Sequence, residues 1–99
     1  YDIIKINNQI VPSKVYLKQN YPNPFNPKTS IYWYMSDPGK ITLTVYNING
    51  QLIETLLDKN MSSGYHNIPW DAKDFTSGIY FYRLVFNDNF FQNKMILIK

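Results

Sequence analysis

The sequence predicts an all-β domain, a sandwich of seven antiparallel strands, on three observations. Apolar residues come in short runs with a period near two. Pro, Gly, Asn and Asp clusters interrupt those runs about every 8–12 residues, the spacing of sandwiches and barrels. Aromatics make up 17% of the 99 residues, nine of them Tyr, and such side chains suit a pleated, half-buried surface. No stretch carries the 3.6-residue period of a helix.

The strands follow in order. Tyr1 to Ser13 is apolar but lacks turn-bounded pairing, and it reads as the end of a linker or a short edge strand at Ile3–Ile6. Pro12 adds to the expectation of an accessible arm that a processing protease would cut. Val15–Gln19 is the first main strand. Asn20-Tyr21-Pro22-Asn23-Pro24-Phe25-Asn26-Pro27 is an ordered turn, because its prolines cannot donate to a ladder. Tyr21 and Phe25 are expected to pin that turn onto the core. Thr29–Met35 is a strand with Ile31, Trp33 and Met35 on one face. Ser36-Asp37-Pro38-Gly39 is a turn with Gly at positive φ.

Ile41–Ile48 shows the clearest alternation, with Ile41, Leu43 and Val45 inward. Asn49-Gly50 is expected to close a type I′ hairpin onto Gln51–Leu57. Asp58–Ser63 reads as a loop. Gly64–Trp70 is a strand whose Pro69 calls for an edge position or a bulge. After the loop Asp71–Ser77, Gly78–Phe86 is apolar on both faces and therefore central, with Arg83 marking the wetter side. Phe90–Lys99 completes the set, with Met95 and Leu97 facing the core and Ile96 and Ile98 on the other face. The expected core includes Ile31, Trp33, Ile41, Leu43, Val45, Trp70, Tyr80 and Leu84.

The chemistry on offer is sparse. The absence of Cys excludes a disulfide, a thiolate metal site and a Cys nucleophile. His66 is the sole His, so no usual zinc site can form. Asp71 and Asp74 share a loop that could hold Ca²⁺, although an Asx turn is the commoner use of Asp at a strand exit. No Gly-rich phosphate loop and no Ser/His/Asp arrangement is present, so neither catalytic residues nor a cofactor are expected. The net charge of +3 comes from scattered Lys, which argues against nucleic acid. No apolar run approaches the roughly 20 residues of a membrane span, and the first residues show no signal-peptide pattern. Tyr1 in place of Met makes the sequence read as a piece of a longer chain. Exposed aromatics could make a carbohydrate-binding module, but most are expected to fill the core.

Four motifs, in order, carry a family resemblance. Leu17-x-Gln19-Asn20-Tyr21-Pro22-Asn23-Pro24-Phe25-Asn26-Pro27-x-Thr29-x-Ile31 resembles the opening motif of the type A sorting domain of the type IX secretion system. Val45-Tyr46-Asn47-Ile48-Asn49-Gly50-Gln51 is similar to its central hairpin. Ser77-Gly78-Ile79-Tyr80-Phe81-Tyr82-Arg83-Leu84 resembles its penultimate strand, and Gln92-x-Lys94-Met95-x-Leu97-x-Lys99 its terminal one. The resemblance implies a seven-stranded, immunoglobulin-like β-sandwich that ends a larger exported protein of Bacteroidetes or related phyla. It implies a domain boundary near residue 14, with 14–99 as the C-terminal sorting domain behind an N-terminal cargo. It implies passage through the periplasm, recognition by an outer-membrane translocon, and removal by a sortase-like protease that links the cargo to surface lipopolysaccharide. The family's recognition features fall on Gly78, Tyr80, Lys94 and Lys99. Asn93 departs from the usual paired Lys and leaves Lys94 to carry the charge; Ala72 stands where many members have Gly. Related immunoglobulin-like domains of flagellar hook-capping proteins share the sandwich and parts of the hairpin, and the Pro-Asn-Pro-Phe-Asn-Pro motif and the ending at Lys99 favour the sorting domain. The competing readings are a carbohydrate-binding module, which wants a coplanar row of exposed aromatics, and a structural immunoglobulin-like spacer, which expects further chain after Lys99.

Overall fold

The computed structural model describes residues 14–99 in full, together with the backbone of 3–6 and 9–12. Every described element is a strand. They are β1 (Ile3–Ile6), β2 (Gln9–Pro12), β3 (Val15–Leu17), β4 (Lys28–Met35), β5 (Gly39–Asn47), β6 (Leu52–Met61), β7 (Gly64–Asp71), β8 (Gly78–Phe86) and β9 (Asn89–Leu97). Seven of them, β3 to β9, form two antiparallel sheets, ordered β3-β4-β7 and β6-β5-β8-β9. This is the predicted β-sandwich, and each of its seven strands overlaps the stretch in which the alternation places it. Among the described residues no helix is long and apolar enough to cross a membrane.

The core follows from strand parity. β4 contributes Ile31, Trp33 and Met35, β5 contributes Ile41, Leu43 and Val45, and β8 contributes Tyr80, Tyr82, Leu84 and Phe86. Met95 and Leu97 of β9 close it from the side. All eight expected core residues are buried. β8 is central, between β5 and β9, and its Arg83 side is the wetter one. β7 is an edge strand, so Pro69 removes no ladder bond that a neighbour would need. The edge of β6 is blunted by two register shifts, which leave Ile53 and Leu56 as extra residues packed against the core.

Five local expectations are corrected. Tyr21 does not pack into the core: it is 74% exposed, and the turn is tied instead by its backbone, which exchanges two hydrogen bonds with Ser30. Asn49-Gly50 is not a type I′ turn, because only Gly50 has positive φ, at 80°. Gly50 N–H donates to Asn47 O and Asn47 N–H to Gln51 O, which makes a three-residue loop with a glycine bulge. The Asn47 carboxamide oxygen selects that loop by accepting from Asn49 and Gln51 N–H, each at 3.0 Å. Gly39 has no positive φ. Its need is steric, since a Cβ there would lie 2.5 Å from Cε1 of Phe86. The supposed loop 58–63 is mostly strand, because β6 runs on to Met61 opposite Gly39. Finally, among the described residues only six aromatics are buried: Phe25, Trp33, Trp70, Tyr80, Tyr82 and Phe86.

The segment read as a linker end or edge strand carries a ladder of its own. β1 and β2 pair antiparallel from Ile3↔Pro12 to Ile6↔Gln9 in a separate two-stranded sheet. The accessible arm expected over residues 1–13 lies in part outside the described residues, and where the backbone is described it is paired.

Candidate functional site

The Pro-rich motif becomes a strap along the outer edge of β9. Strand parity turns the backbone groups of Lys94, Ile96 and Ile98 away from β8, toward what would be an open edge. The strap meets most of them. Gln19 Nε2 donates to Lys94 O at 2.7 Å, and Ile96 N–H donates to the Asn23 side-chain oxygen at 2.9 Å. Phe25 N–H donates to Ile96 O at 3.0 Å, and Ile98 N–H returns to Phe25 O at 2.9 Å, a short parallel bridge. The peptide bonds before Pro22, Pro24 and Pro27 are cis. Prolines offer no N–H, so the strap covers one edge without presenting a new one.

A buried polar network holds the strap. Phe25 is 2% exposed and lies against Trp70, with ring centres 5.8 Å apart. The buried Asn20 donates through Nδ2 to Thr29 Oγ1 at 3.0 Å and to Pro22 O at 3.2 Å, and Thr29 Oγ1 donates to Pro22 O at 2.8 Å. The Tyr82 hydroxyl accepts from Asn20 N–H at 2.8 Å and donates to Lys18 O at 2.6 Å. Burial pushes the Tyr82 phenol above its ordinary range, against the opposing pull of hydrogen bonds from Asn93 and Asn20. Asn93 Nδ2 reaches Leu17 O, Lys18 O and Tyr82 OH, each at 3.2 Å. Asn93 thus seams β9 to β3 and joins the two sheets. Read as a sequence, it is only a missing Lys; the signal that it matters lies in partners far away along the chain.

Gly78, Tyr80 and Lys99 gather at one end of the sandwich. Gly78 opens β8 opposite Leu97, with φ at 154°, a conformation that suits glycine. Tyr80 is buried against Trp70 and Phe75, and its hydroxyl donates to Thr76 O at 2.6 Å. It therefore acts from below, by fixing the chain that leads into Gly78. Lys99 N–H donates to Ser77 Oγ at 2.9 Å, and Lys99 Nζ donates to Lys73 O. An open groove of about 400 Å³ lies beside this end, lined by Ile48, Asn49, Ile53, Ser77, Gly78 and their neighbours. Lys94 is not part of the group. It stands opposite Phe81 on the outer face, five residues before Lys99, or roughly 17 Å along an extended strand.

The remaining candidates have structural work. Asp71 accepts from Lys73 N–H at 3.0 Å, an Asx turn, and among the described residues no three His, Cys, Asp or Glu side chains cluster as metal ligands. His66 stacks on Trp33 with ring centres 5.5 Å apart, and its Nε2 lies 2.7 Å from Ser62 O. Tyr16, Tyr34 and Tyr65 do form a row across the three-stranded sheet. Their rings are inclined by 34° and 51° to one another, so they make no flat platform for a sugar.

Comparison with known proteins agrees with the motifs. The sequence profile described as "Secretion system C-terminal sorting domain" matches residues 19–99. Among solved structures, dimeric latent PorU from Porphyromonas gingivalis superposes with a TM-score of 0.69 at 19% identity, over 94% of this chain and 10% of that one. PorZ of the same bacterium, described as an essential surface component of its type-IX secretion system, gives 0.57 at 18% identity, over 86% of this chain and 11% of that one. The chain thus spans about a tenth of each neighbour. No curated protein matches. The profile reaches from the strap through the terminal strand to Lys99, and every motif within it has its place in one closed sandwich: the chain belongs to the family of secretion-system C-terminal sorting domains, whose function is to direct export to the cell surface or medium.

Proposed function

We propose that residues 14–99 form the sorting module of a larger exported protein, joined through residues 1–13 to an N-terminal cargo and read by the outer-membrane translocon of a type IX secretion system. In this reading the module performs no catalysis and needs no cofactor, and a sortase-like protease separates it from the cargo after passage. Gly78, Tyr80, Lys94 and Lys99 carry recognition. Gly78 and Lys99 present the end of the sandwich, Tyr80 holds that end in shape, and Lys94 adds a separate exposed charge. The observation that carries the reading is the sorting-domain match over residues 19–99, with its motifs interlocked as strap, hairpin and paired strands.

Lys94→Ala and Lys99→Ala test it better than deletion of the terminal strand. Deletion removes Met95 and Leu97, whose burial contributes about 1.5–3 kcal/mol each, and so confounds folding with recognition. Each Lys replacement takes away an exposed charge and is expected to change stability by less than about 0.5 kcal/mol. The expected outcome is a normal melting temperature with a reduced exported fraction of the full-length protein in a host that has this secretion system. Unchanged export of the double variant would assign recognition to another surface.

A further inference from the structure

The outer face of the four-stranded sheet holds a feature that the strap and the Gly78 end do not use. Cross-strand rows on this face run Tyr46, Phe81, Lys94 and then Thr44, Arg83, Gln92, with Val85 and Phe90 beyond. The Arg83 guanidinium carbon lies 4.8 Å from the ring centres of both Tyr46 and Phe90. Its Nε and Nη2 donate to the Gln92 carboxamide oxygen at 3.2 and 3.0 Å. Two aromatic rings and one amide therefore hold the group still while spending two of its five N–H donors on a single oxygen. An open groove of about 250 Å³ adjoins it, walled by Tyr46, Ile48, Phe81 and Arg83, which is room for one side chain. Ile48, Leu52 and Phe90 around it are exposed.

We propose that this face docks a protein of the secretion machinery, with an Asp or Glu side chain of the partner seated on Arg83 and an apolar neighbour in the groove. The inference rests on the sorting reading and names the chemistry of the partner. Charge complementarity carries it. The face bears Arg83 and Lys94, and its only carboxylate among the described residues, Asp58, is already engaged by Lys40 at 3.5 Å and by Thr42. A guanidinium fixed in advance loses little freedom when it takes a planar carboxylate through two parallel hydrogen bonds. Arg beside aromatic rings is also the composition of the few residues that dominate protein interfaces.

The test uses the full-length exported protein in its secretion-competent host. The variants are Arg83→Glu, Arg83→Lys, a charge reversal on the other sheet (Lys28→Glu), and removal of residues 19–99. Arg83→Glu is expected to cut the exported fraction at least tenfold in a protein that melts within a few degrees of wild type. Arg83→Lys, which keeps the charge but loses the planar fork, is expected to fall between, and Lys28→Glu to export normally. Wild-type export of Arg83→Glu, with export abolished by removal of 19–99, would overturn the proposal and leave the sorting reading standing. Wild-type export after that removal would overturn both. A second arm sediments the purified protein with phosphatidylglycerol vesicles. Binding that Arg83→Glu abolishes would identify an anionic lipid surface as the occupant and overturn the protein-partner proposal; no binding supports it.

Discussion

Tyr82→Phe removes one oxygen and unties the strap from the core. The hydroxyl is wholly buried and serves three groups: Asn20 N–H, Lys18 O and Asn93 Nδ2. After its loss, Lys18 O keeps Asn93 Nδ2 at 3.2 Å and Asn93 keeps Leu17 O, but the buried Asn20 N–H has no other described partner. A buried donor left unmade costs about 1–3 kcal/mol, and the lost bond to Lys18 O adds a smaller amount, so the expected destabilisation is about 2 kcal/mol. For a domain of this size that lowers the midpoint of unfolding by about 8–16 °C, readable by scanning calorimetry. The effect has a pH signature. Because burial raises the folded-state pKa of Tyr82 above 10.0, the folded chain favours the neutral phenol. Its contribution is complete below pH 10 and is lost as pH rises through the folded pKa, where the unfolded chain releases the proton first. Wild type should therefore lose stability more steeply than Tyr82→Phe above pH 10, and the gap between them should narrow. A midpoint shift under about 3 °C at neutral pH, or parallel alkaline curves, would refute the account of the hydroxyl as the tie.

Gly39→Ala drives a methyl against the buried Phe86 ring and should cost about 1–3 kcal/mol, seen as a lower urea midpoint with an unchanged slope. Phe25→Ala empties a pocket beside Trp70, at about 3–5 kcal/mol, and loosens the strap from the β9 edge; sedimentation velocity should show concentration-dependent self-association that wild type lacks. Thr29→Val keeps the shape but removes the bonds from Asn20 Nδ2 and to Pro22 O, which then keep only their mutual 3.2 Å bond, so denaturant melts should show a loss of about 1–2 kcal/mol, while Thr29→Ser stays near wild type.

What the sequence showed and what it hid divide by the distance of the deciding contact. Alternation is local, so Ile41, Leu43 and Val45 declare their face, and so do Tyr80, Tyr82 and Leu84. The convergence of Gly78 and Lys99 follows from antiparallel pairing once the turn at Asn87-Asp88 is recognised. Asn49-Gly50 is different, because that dipeptide serves two turn types, and the choice between them was made by the side chain of Asn47. Gly39 follows Pro38 and so suggests a turn, yet its requirement comes from Phe86 on another strand. The ties of Asn93 to Leu17 O and of Gln19 to Lys94 O carry no local signal, since each joins residues at opposite ends of the chain. The strap was legible as ordered, through its prolines, but the edge it covers was not.

That distance has a meaning for synthesis. The strap is made early and β9 late, and neither is satisfied without the other: Phe25 needs the backbone of Ile96 and Ile98, and the core needs Met95 and Leu97. A ribosome that stops anywhere before β9 releases a chain with its sandwich open on one side, its strap unmoored, and the flank of β8 bare. A folded domain therefore forms only after translation has passed Leu97, so one folding event reports that the strap and its distant partner strand have both been made.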